Sequence, residues 1–387
     1  MIDALLNLSA HCPGTVLDPE TDEPITLDRL AAVLPPSLAG LELSTDPLVP
    51  VPEPLRERFA RYRPTPLFEA RAFAEAVGNG CRVFVKDEGA TPSGNHKANS
   101  AWWVAYHCAR DGIGRITTET TGNWGIALAL AAAEFDLEVL CFIDAASLRA
   151  RPDRAELMRA AGARVEVVHP DDDARFDPLV LSANHAVEHT RRQPGARYVF
   201  GSVYNYFILP QTIVGLEARE QLGDLRPDVV VGSCGGGANL LGVSGTFLAD
   251  RLAGADGPEV VCAESELCPI VSKGVWGRYS IDDQGFYPKL RTYGLERLLG
   301  TDYIGGLGST IVAAPVARCH AEGLIRTTTV GVDQARVAAA LFAETEGPRV
   351  ALETGYQLAA VIAEAHRAPD RSILVNISSV GAAATFA

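Results

Sequence analysis

The chain has 387 residues, 47% of them hydrophobic, with 36 glycines and a formal net charge of −14. That length exceeds one ordinary hydrophobic core, so two α/β domains or one large one are expected. The acidic balance holds no Lys/Arg-rich run and argues against nucleic acid as a partner, and no apolar window is long enough to cross a bilayer.

Residues 1–62 are rich in proline and acidic side chains. Asp18-Pro19-Glu20 and Thr21-Asp22-Glu23-Pro24 supply turn chemistry, and Thr26 offers an N-cap to a short helix with leucines at helical spacing. The expectation is an arm packed on a larger body. Arg63-Pro64-Thr65-Pro66-Leu67 is a stiff connector, because each proline fixes its own φ and pushes the preceding residue to extended geometry. Beyond it, strand periods over 83–85, 115–118, 138–143 and 164–168 alternate with helix periods over 98–110, 122–135 and 153–161. This order predicts βαβ units around a mainly parallel sheet covered on both faces. Asp171-Asp172-Asp173 reads as a solvated acidic loop, since adjacent side chains diverge, and no metal site is expected. A second block follows Gly201, with a helix over 211–222, a strand over 228–232 and a last strand over 372–377.

Cys12, Cys81, Cys108, Cys141, Cys234, Cys262, Cys268 and Cys319 are dispersed, form no C-x-x-C pair and have mostly apolar neighbours. Buried reduced thiols in a cytoplasmic protein are expected. The start, Met1-Ile2-Asp3-Ala4-Leu5, shows no basic segment followed by an apolar core, so no signal peptide is expected.

Chemistry concentrates in a few loops. Pro92-Ser93-Gly94-Asn95-His96-Lys97-Ala98-Asn99 places a lysine on a tight turn before a helix. A helix start there offers free N–H groups to an anion, and the lysine is placed to hold a carbonyl cofactor as a Schiff base. A solvated lysine after a turn is the plainer reading of this stretch by itself. Thr117-Thr118-Glu119-Thr120-Thr121-Gly122-Asn123-Trp124-Gly125 lies between a strand and a helix and suits a substrate carboxylate, although a simple N-cap turn accounts for it equally when taken alone. Gly232-Ser233-Cys234-Gly235-Gly236-Gly237-Ala238-Asn239 follows a buried strand, and consecutive glycines let N–H groups converge on a phosphate. It matches neither G-x-G-x-x-G nor G-x-x-x-x-G-K-S/T. The last strand ends at Ser378-Ser379-Val380-Gly381, the kind of strand terminus where open α/β sheets place ligands.

Taken in order, these motifs resemble the fold-type II pyridoxal-phosphate enzymes, and most closely the tryptophan synthase β subunit family in its stand-alone second type. The shared stretches include the Pro-Glu-Thr-x-Glu-Pro arm, R-P-T-P-L, S-G-N-H-K, T-T-E-T and R-P-x-R-x-x-L-M at Arg151–Met158. Gly201-Ser202-Val203 and Gln211-Thr212-x-x-Gly215-Leu216-Glu217 also match. The resemblance implies a two-domain α/β fold, with 96–200 as a smaller domain and 63–95 with 201–387 as a larger cofactor-binding domain. It implies pyridoxal 5'-phosphate bound by His96, Lys97, Asn99, Gly235, Gly236, Gly237, Ala238, Asn239, Glu353 and Ser378, and leaves room for a monovalent cation. Lys97 is then the Schiff-base lysine and proton shuttle at Cα, Glu119 the catalytic acid–base, and Thr120, Thr121, Gly122, Asn123 and Trp124 the carboxylate grip. Serine at position 378 need not keep the pyridine nitrogen protonated, which suits β-elimination over transamination.

The implied activity is β-replacement on serine or a related β-substituted amino acid, by loss of the β-substituent to an aminoacrylate and addition of a small nucleophile. A serine/threonine dehydratase, a threonine synthase-like eliminase and a non-catalytic relative are the alternatives. A homodimer without an α subunit is implied.

The chain also departs from the family pattern. The loop Glu119–Gly125 is one residue shorter and its T-T-G-N is similar to the asparagine loop of cysteine synthases and threonine synthase-like enzymes. The family's G-G-L-R-Y-H-G becomes Gly305-Gly306-Leu307-Gly308-Ser309-Thr310-Ile311, and S-G-H-G becomes Ser378-Ser379-Val380-Gly381. Indole is therefore not implied as the nucleophile. The stretch from Lys273 to Tyr293 corresponds to the segment that closes over substrate, with Asp283 near the closing aspartate; an aromatic packing segment explains it as well.

Overall fold

The computed structural model describes residues 2–169, 178–300 and 302–381. The Asp171-Asp172-Asp173 run lies outside them. Val83, Val85, Val229, Val230, Val231, Ile373, Leu374 and Val375 are fully buried, and their runs become adjacent strands. Strands apolar along their whole length need cover on both faces, which is the condition of a parallel sheet between helices. The larger sheet has six strands in the order Ile325–Val330, Glu259–Ser265, Val229–Ser233, Ser372–Ile377, Arg82–Asp87, Leu67–Glu69. All its pairings are parallel except the last, where the strand after the proline connector returns antiparallel. A second, all-parallel sheet runs Arg164–Val168, Glu138–Asp144, Arg115–Glu119, Ala196–Tyr198.

The helix expected over 98–110 spans Ala98–Arg110, and that over 122–135 is the shorter Asn123–Ala133. The expected helix over 211–222 is instead a 3-10 turn, Leu209–Thr212, followed by an α-helix from Ile213 to Leu222. An additional short helix, Ala145–Ala150, is started by Asp144, whose carboxylate accepts from the N–H groups of Ala146 and Ser147.

In the first sixty residues, Ala4–Leu6 pairs with Leu48–Pro50, and Thr26 caps the helix Leu27–Ala31. Leu5, Leu30, Leu34 and Leu38 are fully buried. Val16–Leu17 joins the antiparallel ladder made by Val275–Tyr279 and Lys289–Gly294. Asp283, beyond that ladder, exchanges two hydrogen bonds with Asn184 at 2.8 and 2.9 Å and so is held on the helix Pro178–Arg191. All eight cysteines are buried, and no helix among the described residues is long and apolar enough to cross a membrane.

The connector anchors a buried ion cluster. Arg63 donates to Glu88 at 2.6 Å and Glu217 at 2.7 Å, and Lys86 Nζ donates to Glu217 at 2.7 Å. Asn99 belongs to this cluster, accepting from Arg63 and donating to Glu88.

Candidate active site

A cavity of about 80 Å³ lies where the carboxyl ends of four parallel strands meet. The strands Arg82–Asp87, Arg115–Glu119, Val229–Ser233 and Ser372–Ile377 each deliver one of the loops singled out in the sequence. A backbone bridge between Asn95 and Ser379, and the bond from His96 N to Ser378 O at 2.9 Å, tie the first loop to the last.

Lys97 is the residue preceding the helix Ala98–Arg110, and its side chain lines the cavity. Nζ donates to Gly201 O at 2.7 Å and lies 4.6 Å from the centre of the Phe207 ring. Burial pushes the amine down to about 8, against the opposing pull of Glu119 and Glu353. His96 beside it is buried, and burial together with Lys97 pushes it down to about 4, so the ring is neutral near pH 7. Gln211 Nε2 donates to His96 O and to Ser100 Oγ, which orients the amide; its Oε1 then accepts from His96 Nδ1 at 2.8 Å. The second ring nitrogen, Nε2, is left for a ligand.

The glycine loop precedes the fifteen-residue helix Ala238–Leu252. Gly235, Gly236 and Gly237 are buried, and their backbone N–H groups bond no other described residue. A Cβ at Gly236 would lie 1.9 Å from Ser202 Oγ, one at Gly235 2.8 Å from Gly306 O, and Gly237 has φ +105°. Only glycines fit, and unsatisfied buried N–H groups at a helix start are an anion site. The chain therefore fits the phosphate of the implied cofactor. Ala238 lines the cavity as well. Asn239 lines it too, but its amide is committed, donating to Ser233 Oγ and Gln357 Oε1 at 3.0 Å and accepting from Asn376 at 2.7 Å.

The loop after Arg115–Glu119 uses its side chains on itself. Thr120 Oγ1 accepts from the N–H groups of Gly122 and Gly125, both at 2.9 Å. Trp124 Nε1 donates to Thr118 Oγ1 at 2.8 Å, and its ring lies where a Cβ at Gly201 would fall. Asn123 Nδ2 donates to Glu353 Oε1 at 3.0 Å, leaving a buried Oδ1 without a partner. The N–H groups of Thr121, Asn123 and Trp124 bond no other described residue. The Thr120 and Asn123 side chains are thus engaged within the protein, while Thr121 lines the cavity and the loop's backbone N–H groups stay available for the expected carboxylate. Gly122 is not on the cavity wall; it packs on Arg154, whose Cδ would be 2.0 Å from a Cβ there. Asn99 does not line the cavity either, because the Arg63 cluster consumes its amide.

Glu119 is buried on the cavity wall, where Oε1 accepts from Gly201 N at 3.0 Å and Oε2 from Tyr198. Burial pushes it up to about 7, opposed by those hydrogen bonds and by Lys97. Gly201 therefore joins the two charged groups, its N–H on Glu119 and its carbonyl on Lys97. Glu353 shows the opposite balance. Burial acts to raise it, but Arg154, at 3.2 Å, and the Gly306 N–H hold it below the ordinary carboxylate range. Ser378 Oγ lines the cavity and lies 3.2 Å from Thr354 Oγ1. Among the described residues no cluster of histidine, cysteine or carboxylate side chains suits a metal ion.

Sequence reasoning missed Gly201, Tyr198 and Arg154 as site residues. Arg154 is fully buried and donates to Thr121 O at 3.1 Å, Tyr303 OH at 2.6 Å and Glu353. Its motif was recognisable at Arg151–Met158, but nothing local pointed to partners across the cavity.

The chain is similar to several known proteins along most of its length. The tryptophan synthase beta chain of Thermococcus gammatolerans is 35% identical over 94% of this chain and 88% of its own length. Tryptophan synthase beta chain 2 of Thermotoga maritima is 35% identical over 94% of this chain and 91% of its own. An O-ureido-L-serine synthase crystal structure shares the fold with a TM-score of 0.64 at 20% identity, covering 81% of this chain and 88% of that one. Residues 59–379 match the family described as pyridoxal-phosphate dependent enzymes, and the chain belongs to that family.

Proposed function

We propose that the protein catalyses β-replacement on serine or a related β-substituted amino acid. With serine, the Cβ–O bond breaks, a bond from Cβ to the nucleophile forms, and water is released along with the new β-substituted alanine. The observation that carries this reading is the Lys97–Gly201–Glu119 unit, an amine pushed down to about 8 and a carboxyl pushed up to about 7 on one glycine. Groups with pKa values near the working pH are the effective proton carriers.

Pyridoxal phosphate, when bound, supplies an electron sink that acidifies the Cα–H of an amino acid joined to it. Lys97 is the covalent anchor for it, and afterwards takes and returns the Cα proton. The N–H groups of Gly235–Gly237 would hold the phosphate, with His96 beside it, and Ser378 would serve the ring nitrogen. The free N–H groups at Thr121, Asn123 and Trp124 hold the substrate carboxylate. Glu119 gives a proton to the leaving β-oxygen and accepts one from the nucleophile. Residues 63–95 with 201–387 form the cofactor-binding domain and 96–200 the smaller one, and the enzyme acts as a cytoplasmic homodimer without a partner subunit.

The test is incubation with serine, phosphoserine, threonine and acetylserine, each with indole, thiols or amines, followed by mass spectrometry. A β-substituted alanine supports the reading. Keto acid alone, at equal rates with and without nucleophile, contradicts it and favours dehydration. No turnover with any amino acid contradicts both.

A further inference from the structure

A second cavity of about 510 Å³ adjoins the first, and Thr121, Leu179 and Gly308 belong to the walls of both. Leu298, Ile304 and Tyr303 make much of its wall apolar. Arg149 and Arg297 also line it, both exposed, and neither bonds or pairs with another described residue. Two carboxylates share the cavity. Asp144 is committed to the N–H groups of Ala146 and Ser147, which leaves Asp302 as the uncommitted anion. Among the described residues, two free guanidinium groups against one free carboxylate is a local surplus of positive charge on a chain of net charge −14. The outer wall is also joined to the inner one, since Tyr303 accepts from Arg154, which holds Thr121 O and Glu353.

We propose that this outer cavity seats the second substrate and selects nucleophiles that carry an anionic group, such as a carboxylate or sulfonate, on an apolar body. The apolar body lies against Leu298 and Ile304, the anion meets Arg149 and Arg297, and the nucleophilic atom reaches the inner cavity between Thr121, Leu179 and Gly308. Guanidinium groups favour carboxylates through paired N–H donors. The proposal rests on the β-replacement reading.

The experiment gives the holoenzyme serine with either phenylmethanethiol or 4-(mercaptomethyl)benzoate, two thiols of matched sulfur chemistry, and measures adduct formation as kcat/KM. The acid is expected to be preferred about tenfold, the effect of two charge-assisted contacts at a partly exposed rim. That ratio is expected to fall to about one in Arg149→Gln/Arg297→Gln, to rise in Asp302→Asn, and to shrink in the unmodified protein at about 0.5 M salt. Equal rates for the two thiols, or a preference indifferent to both salt and the arginine variant, overturn the proposal while leaving β-replacement intact. Adduct from neither thiol, with serine converted only to keto acid, overturns the reading beneath it.

Discussion

Gly201 places one residue between two ionisable side chains, its N–H on Glu119 and its carbonyl on Lys97, and the consequences are measurable at single residues. Glu119 has a folded value near 7 against an ordinary 4.5, so between those pH values the folded chain binds more protons than the unfolded one. Stability contributed by this group is therefore lost as pH rises from about 4.5 to 7, by an amount on the order of 3 kcal/mol. Glu119→Gln is expected to remove that slope in urea titrations at a series of pH values, and to lower kcat by about 10²–10⁴-fold. A slope unchanged by the substitution would place the titration elsewhere. In the glycine loop, Gly236→Ala must displace Ser202 and Val203, since its Cβ would lie 1.9 and 2.8 Å from their side chains. The expected outcome is at least tenfold weaker cofactor binding in a fluorescence titration, with far-UV circular dichroism retained. Arg154 acts through others: Arg154→Met leaves Glu353 buried without its cation, so Glu353 rises toward neutrality and releases Asn123. A destabilisation of about 3–5 kcal/mol is expected, because a buried carboxylate has lost its partner, with partial recovery in Arg154→Lys.

At the scale of elements, the helix Asn123–Ala133 begins at the cavity-lining loop and owes its start to Thr120. That hydroxyl satisfies two N–H groups, so Thr120→Val is expected to cost about 1–2 kcal/mol in denaturant melts and to raise KM for the amino acid. The sequence made this helix and its loop legible through glycine, asparagine and threonine chemistry, which is local. It did not reveal which atoms face the cavity, because that depends on Glu353, 230 positions away, pulling Asn123 Nδ2 out of it. That Lys97 and the three glycines line one cavity follows from motifs that are local in the same way. Asn99, expected at the cofactor, bonds into the Arg63–Glu88 cluster, and short polar residues beside a site do not announce which neighbour claims them. Arg154 and Tyr198 escaped notice because their partners lie 199 and 79 residues away.

Across the whole molecule, two parallel sheets direct their carboxyl ends toward one cavity, and long-range bonds lock the loops there. Their alternating order was visible as periodic hydrophobicity; the antiparallel edge strand Leu67–Glu69 was not, since the connector's prolines hide where pairing resumes. The central claim is that this architecture exists to hold a carbonyl cofactor on one lysine. Four lysines are present, Lys86, Lys97, Lys273 and Lys289, and Lys86 is spent on Glu217, Gln221 and the Thr65 carbonyl. The direct measurement is borohydride reduction of the protein saturated with pyridoxal phosphate, then proteolysis and peptide mass spectrometry. A single pyridoxyl label on Lys97, prevented by prior addition of serine, is the predicted result. A label on Lys86, Lys273 or Lys289, or none at all, would contradict the account.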